Sequence, residues 1–272
     1  MRIEDWDDAY SNRDHIADAD GFIARWPVAA EAFRQERAGA SEIDLAYGDG
    51  PRNRFDLFHP DGRARGLVVW VHGGYWRAFD KSYWSHFAAG PLARGWAVAM
   101  PSYTLAPDAG IADITREIGQ AVTAAADRMD GPIRLAGHSA GGHLVTRMVC
   151  EDTPLAAGVQ ARIVHTLSVS GVHDLRPLLR TEMNADLRLT PGTAAAESPA
   201  LLAPSEGARV TVWVGGAERP EFVRQSTLLA NIWTGLGADM AQVKEPAKHH
   251  FDVIDGFCDA NAQITGCLLG DG

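Results

Sequence analysis

Two stretches in the first quarter of the chain alternate apolar and polar residues. Residues 43–48 (IDLAYG) and 54–59 (RFDLFH) share this period of two, and a stretch containing Gly, Pro and Asn at 48–53 lies between them. Together they predict a hairpin of half-exposed strands. Downstream the pattern changes. Residues 67–71 (LVVWV), 96–100 (WAVAM), 133–136 (IRLA), 163–172 and 210–214 (VTVWV) are mostly apolar, with β-branched and aromatic side chains prominent. Such short, nearly continuous apolar runs predict strands covered on both faces, as in a parallel sheet. Residues 241–245 (AQVKE) make a last strand.

Between these runs the apolar spacing becomes helical. Ile111, Ile114, Ile118, Val122 and Ala125 recur at intervals of three and four. Val253 and Ile254, Phe257, Asn261, Ile264 and Leu268 do the same, predicting a helix near the C-terminal end. Strand and helix in alternation predict an α/β sheet with right-handed crossovers. Two segments break the cadence: 1–42, which reads as helical and carries Trp6, Tyr10, Phe22, Trp26 and Phe33, and 176–206, rich in Leu, Pro and Ser. Each either packs against a sheet edge or caps the strand ends, where ligands enter open α/β sheets. The expected organisation is one domain over 1–272, with 1–42 a helical extension and 43–272 the core.

Charge narrows the partners. Twenty-five basic minus thirty-five acidic residues leaves −10, and no basic run is present. A nucleic acid or an anionic membrane surface is therefore not expected as a partner. Cys150, Cys258 and Cys267 form no CxxC and leave an odd thiol under any pairing, which suits a reducing compartment. The first residues are acidic and lack the pattern of a secretory signal, so a cytoplasmic protein is expected.

The strongest chemical signal is Gly137-His138-Ser139-Ala140-Gly141-Gly142-His143. It follows a predicted strand and precedes a helical run, the context that a G-x-S-x-G nucleophile elbow requires. Gly137 and Gly141 remove side chains that would collide across the sharp turn. A second motif, His72-Gly73-Gly74-Tyr75-Trp76, follows the strand at 67–71. Backbone N–H groups of Gly73 and Gly74, with that of Ala140 after the nucleophile, suit an oxyanion hole. No phosphate loop, dinucleotide fingerprint or HExxH is present, so no nucleotide, metal or other cofactor is expected. His138 and His143 read as structural neighbours of the elbow.

HGGYW together with GHSAGGHL resembles the α/β-hydrolase superfamily, in particular the hormone-sensitive-lipase-like esterases and, among them, the kynurenine formamidase (arylformamidase) branch. Tyr10-Ser11-Asn12-Arg13, residues 170–177 (SGVHDLRP), Ser198-Pro199, residues 220–226 (PEFVRQS) and His250-Phe251-Asp252 are similar to segments of the same branch. The resemblance implies an α/β-hydrolase fold, a mostly parallel eight-stranded sheet flanked by helices. It also implies a cofactor-independent serine hydrolase acting on a small ester or formyl amide through an acyl-enzyme.

For such a triad the order is Ser, acid, His. His249 and His250 both follow the last predicted strand, and the family's Phe directly after its histidine selects His250. Glu218 and Glu221 follow the strand at 210–214; the family's acid falls on Glu218, where it has Asp. Glu221, Asp174 and Asp255 are the alternatives, Glu221 and Asp174 also reading as structural. Tyr75 and Trp76, within an aromatic group that includes Phe79, Tyr83 and Trp84, are candidates to bind the substrate's leaving group. A thioesterase on the same site is the main alternative, and a non-catalytic ligand-binding homologue a more remote one. The expected partner is a small-molecule ester or amide, and assembly into a homo-oligomer is left open.

Overall fold

A computed structural model describes residues 3–270; Met1, Arg2, Asp271 and Gly272 lie outside the described residues. Eight strands form one sheet: β1 (Ser41–Ala46), β2 (Arg54–Phe58), β3 (Leu67–Val71), β4 (Ala97–Pro101), β5 (Ile133–His138), β6 (Ile163–Val169), β7 (Arg209–Gly215) and β8 (Asp239–Glu245). Their order is β1-β2-β4-β3-β5-β6-β7-β8. The hairpin β1–β2 and the pair β2–β4 are antiparallel, and the remaining pairs are parallel. The sheet is thus mostly parallel, with its antiparallel part confined to one edge.

The helices are α1 (Trp6–Tyr10), α2 (Ala19–Glu36), α3 (Ala89–Ala93), α4 (Ile111–Ala126), α5 (Ala140–Arg147), α6 (Ala157–Gln160), α7 (Asn184–Leu187), α8 (Pro191–Ala196), α9 (Pro220–Gly235) and α10 (Gln263–Leu269). Strand alternation divides the core between the two faces of the sheet. Leu67, Val69 and Val71 point to a layer with Ile114, Ile118 and Val122 of α4, Leu144 of α5 and Leu229 and Trp233 of α9. Val68 and Trp70 point the other way, toward Trp26 of α2, Trp84, Phe87, Phe257 and Leu268. Burial on both sides is why β3 reads as LVVWV rather than alternating.

The structure corrects two boundaries. The strand expected over 163–172 stops at Val169, because Ser170 turns to φ +52°. The continuous helix expected from 253 to 268 is a 3₁₀ turn at Asp255–Cys258 followed, after a break, by α10. Within the break Asp259 accepts the backbone N–H of Asn261 at 2.9 Å, a local turn that competes with helix continuation. The N-terminal segment is helical in α1 and α2, and β1 begins at Ser41.

Candidate active site

β5 delivers Ser139 to a sharp turn before α5. Its backbone sits at φ +56°, ψ −117°, a conformation L-residues rarely adopt. Two backbone hydrogen bonds hold it: Ser139 N–H donates to Val169 at 2.8 Å, and its carbonyl accepts from His143 at 3.1 Å. The glycines are demanded by space. A Cβ on Gly137 would stand 2.2 Å from the Gly141 carbonyl oxygen, and one on Gly141 would stand 2.0 Å from that of Val71. Ala140 opens α5, and as its first residue carries an N–H with no intrahelical acceptor.

The loop after β3 is pressed against this turn. A Cβ on Gly73 would lie 3.0 Å from Ser139 Cβ, and Gly74 takes φ +108°. Tyr75, Trp76 and Phe79 follow with φ of +50°, +58° and +69°, so the loop stores backbone strain that its packing must hold. His72 supplies part of that packing. Its ring stacks on Tyr103 at 4.3 Å, and the Tyr103 hydroxyl donates to the His72 carbonyl at 3.1 Å. Burial pushes the His72 pKa down to about 4, so the ring is neutral and its Nδ1–H donates to the Gly73 carbonyl at 2.7 Å.

The loops after β7 and β8 are joined to each other. Gly216 N–H donates to Glu245 at 2.7 Å, and Ala217 N–H to Lys248 at 2.9 Å. This brings Glu218 under His250, whose Nδ1 lies 2.7 Å from Glu218 Oε2. Glu218 Oε1 accepts from Gly215 N–H at 2.7 Å and from Ser170 Oγ at 2.5 Å. Three donors therefore hold a buried carboxyl in one orientation, and the imidazole takes its orientation from it. Of the other candidate acids, Asp255 is exposed in the 3₁₀ turn after His250, and the remaining two are engaged elsewhere. Glu221 accepts the Tyr10 hydroxyl and pairs with Arg224, and Asp174 pairs with Arg176 at 2.9 Å. His249 serves its own loop, its Nδ1 accepting the backbone N–H of Phe251 at 3.1 Å.

A cavity of about 830 Å³ opens over these residues. Ser139, His138, His250, Gly73, Gly74 and Tyr75 line it, with Trp26, Phe79, Trp84 and Phe251. Both segments that broke the strand–helix cadence reach it: the first through Asp5, Asp7, Asp8, residues 10–14, Ile23 and Trp26, and the second through Glu182 and Met183. Tyr75 lies on the wall, its hydroxyl donating to the Tyr10 carbonyl at 2.5 Å. Trp76 does not line the cavity. It is wholly buried, with its ring edge-on to His143 at 5.1 Å, so the structure moves this residue from the expected substrate contact into the core.

Two residues have partners that the sequence does not show. Ser170, which the sequence places in the strand over 163–172 and in the family-like segment 170–177, holds Glu218. His138 lies 4.5 Å from His250, ring to ring, and its Nε2–H donates to the His250 backbone carbonyl at 2.9 Å. Burial, with His250 nearby, holds its pKa well below the ordinary value. A neutral ring thus anchors the loop that carries His250. Among the described residues no cluster of His, Cys, Asp or Glu has the arrangement of a metal site, and no helix is long and apolar enough to cross a membrane.

The sheet order, the strained serine at the strand-to-helix turn and the loops gathered at the strand ends define the class, and comparison with known proteins agrees. Residues 68–262 match the family model described as the alpha/beta hydrolase family, and the chain belongs to that family. It is 29% identical over 260 residues to a kynurenine formamidase of Danio rerio, covering 91% of this chain and 88% of the relative. The kynurenine formamidase of Salmo salar is 28% identical over 270 residues, covering 94% and 90%. A crystal structure described as a putative thioesterase from Silicibacter sp. TM1040 superposes with a TM-score of 0.93 at 49% identity, covering 98% of this chain and 99% of that one.

Proposed function

We propose that the protein is a serine hydrolase that cleaves a formyl amide or small ester by way of an acyl-enzyme. Ser139 Oγ attacks the carbonyl carbon and its proton passes to His250. Nδ1 of that ring faces Glu218, which leaves Nε2 to take the proton. The N–H groups of Gly73, Gly74 and Ala140 hold the oxyanion of the tetrahedral intermediate. Its collapse breaks the bond to the leaving group, which departs with the proton from His250. Water, deprotonated by the same histidine, then attacks the acyl-Ser139 and releases the acid.

The observation that carries this reading is the buried Glu218–His250 hydrogen bond between the loops after β7 and β8, with His250 lining the same cavity as Ser139. The formamidase reading is favoured by the two relatives aligned over about nine-tenths of both chains. A formyl group leaves little to accommodate on the acyl side, so the cavity would serve chiefly the leaving group. The alternative, a thioesterase, is favoured by the description of the structure at 49% identity.

The test is kcat/KM on N-formylkynurenine, a short p-nitrophenyl ester and an acyl thioester, for the protein and its Ser139→Ala variant. Formyl-amide turnover far above the others, abolished in the variant, is the expected result. Turnover of the ester or thioester alone would retain the serine mechanism and discard the formamidase assignment. Turnover that survives Ser139→Ala would remove the serine mechanism.

A further inference from the structure

The loop that carries Gly73 and Gly74 takes positive φ at Gly74, Tyr75, Trp76 and Phe79. A loop under such strain keeps one conformation only where its surroundings fix it. It also has little room to shift: a Cβ on Gly73 would lie 2.9 Å from the His138 carbonyl oxygen. Within the loop, the N–H groups of Arg77 and Ala78 both donate to the Gly74 carbonyl at 3.0 Å, so Gly74 is fixed by the turn it opens. The groups that hold the two ends of that turn come from outside it, on the antiparallel edge of the sheet.

Arg52 stands in the turn of the β1–β2 hairpin and is half-buried. Its Nε–H donates to the Tyr103 carbonyl at 2.7 Å and its Nη2–H to the Phe79 carbonyl at 2.5 Å. Phe79 is the exit of the strained loop. Tyr103 guards the entrance, its ring stacked on His72 and its hydroxyl donating to the His72 carbonyl. One guanidinium therefore grips both ends, and hydrogen bonds from a charged donor are about twice as strong as neutral ones. Arg52 does not line the cavity, so it reaches the reacting atoms only through the loop.

The chain beyond Phe79 has its own anchor on the same hairpin. Lys81 Nζ lies 2.7 Å from Asp56 Oδ1 on β2 and 2.7 Å from Asp44 Oδ1 on β1, and Lys81 N–H donates to Ser102 Oγ at 3.0 Å. Loss of Arg52 thus frees the loop while the hairpin and the segment at Lys81 stay joined. We propose that Arg52 is a positioning residue, which keeps the N–H groups of Gly73 and Gly74 aimed at the oxyanion by holding their loop at Tyr103 and Phe79. The antiparallel edge of the sheet thereby takes part in the chemistry from behind the site. The proposal rests on the hydrolase reading, since an oxyanion forms only if Ser139 adds to a carbonyl.

The experiment compares two variants. Arg52→Met keeps the apolar stem and removes both donors, and Arg52→Lys keeps the charge but loses the planar fork that serves two carbonyls at once. Arg128→Gln is the control, removing a charge that pairs with Glu42 on β1 away from the loop. An oxyanion hole acts on the transition state rather than on bound substrate. With p-nitrophenyl acetate, Arg52→Met is therefore expected to lower kcat about thirtyfold and to change KM by less than about twofold. Arg52→Lys lowers kcat about fivefold, and it carries the test should the methionine variant not fold. Arg128→Gln keeps kcat. The Ki of 2,2,2-trifluoroacetophenone, whose adduct with Ser139 puts an oxyanion in the same hole, rises in step with the loss of kcat, while the Ki of acetophenone does not.

An unchanged kcat in a folded Arg52 variant overturns the proposal, even with a lower Tm, because Arg52 then serves stability alone. A rise in KM without a fall in kcat overturns it as well. Turnover by the unaltered protein of none of p-nitrophenyl acetate, N-formylkynurenine and the acyl thioester overturns the hydrolase reading instead. Hydrogen exchange then decides the grip on the loop by itself. Faster exchange of the amides over 73–79 in Arg52→Met, with those of α4 unchanged, supports it, and equal exchange overturns it.

Discussion

The hydroxyl of Tyr10 donates to Oε1 of Glu221 across 2.7 Å, joining residues 211 positions apart in the chain. Gln225 Nε2 donates to the same hydroxyl at 3.0 Å, and the Tyr10 carbonyl receives the Tyr75 hydroxyl. One residue, through its hydroxyl and its backbone carbonyl, thus ties α1, α9 and the loop after β3 into a single wall. Burial, reinforced by Glu221, raises the Tyr10 pKa well above that of an ordinary phenol, so the hydroxyl remains a donor at any working pH. Tyr10→Phe is expected to cost about 1–2 kcal/mol, read as a fall of a few degrees in Tm, and to raise KM more than it lowers kcat. A lower Tm with KM unchanged would confine Tyr10 to stability.

Replacing Glu218 by Gln tests the orientation of His250. The amide places an N–H where Glu218 now accepts from three donors, so the imidazole loses the partner that holds its Nδ1. By analogy with the loss of the acid in other serine hydrolases, kcat should fall about a thousandfold or more, with KM changing much less. Full turnover by a folded Glu218→Gln protein would exclude this residue from the chemistry.

Gly141→Ala addresses the turn itself. The added Cβ would meet three backbone atoms of Val71 and His72 at 2.0, 2.6 and 2.7 Å, none of which can swing aside as a side-chain tip would. A loss of about 3 kcal/mol or more is expected, or failure to fold. Gly158→Ala is the control: nothing lies within 4 Å of its added Cβ, and it stands inside α6. Its stability should be unchanged or up to about 1 kcal/mol higher. Denaturation midpoints of the two variants distinguish a steric demand from a general intolerance of lost glycines.

Stability should also fall on mild acidification. Burial pushes the pKa of His72 down to about 4 and those of His143 and His173 down to about 3. Between pH 6.5 and 4 the unfolded chain binds protons at these positions and the folded chain does not, so unfolding is favoured as pH drops. At pH 5 each contributes up to about 2 kcal/mol of lost stability relative to pH 7 or above. Thermal unfolding from pH 7.5 to 5 should show a steady fall in Tm. A flat profile down to pH 4.5 would show that these rings are accessible to protons in the folded state.

Much of this molecule was legible in local sequence. Runs such as LVVWV and VTVWV declared buried parallel strands because covering both faces removes the alternation that a half-exposed strand shows. The serine turn was legible because its backbone geometry leaves almost no alternative to glycine at positions 137 and 141. The C-terminal helix was overread because apolar spacing continues through residues 255–262 while Asp259 and Asn261 turn the chain there.

What the sequence determined by itself is therefore the set of elements whose causes are local: strand character, the elbow, the glycine loop after β3 and the late histidine. Tertiary structure alone decided which partners these residues meet. Trp76 stands beside Tyr75 in the chain, yet it is buried against His143 while Tyr75 lines the cavity. Glu218 meets His250, and Asp174 meets Arg176, because the loops after β7 and β8 are hydrogen-bonded together and the one after β6 turns away at Ser170. Side-chain chemistry is written residue by residue, but pairing and burial are properties of distances between segments that the chain keeps far apart.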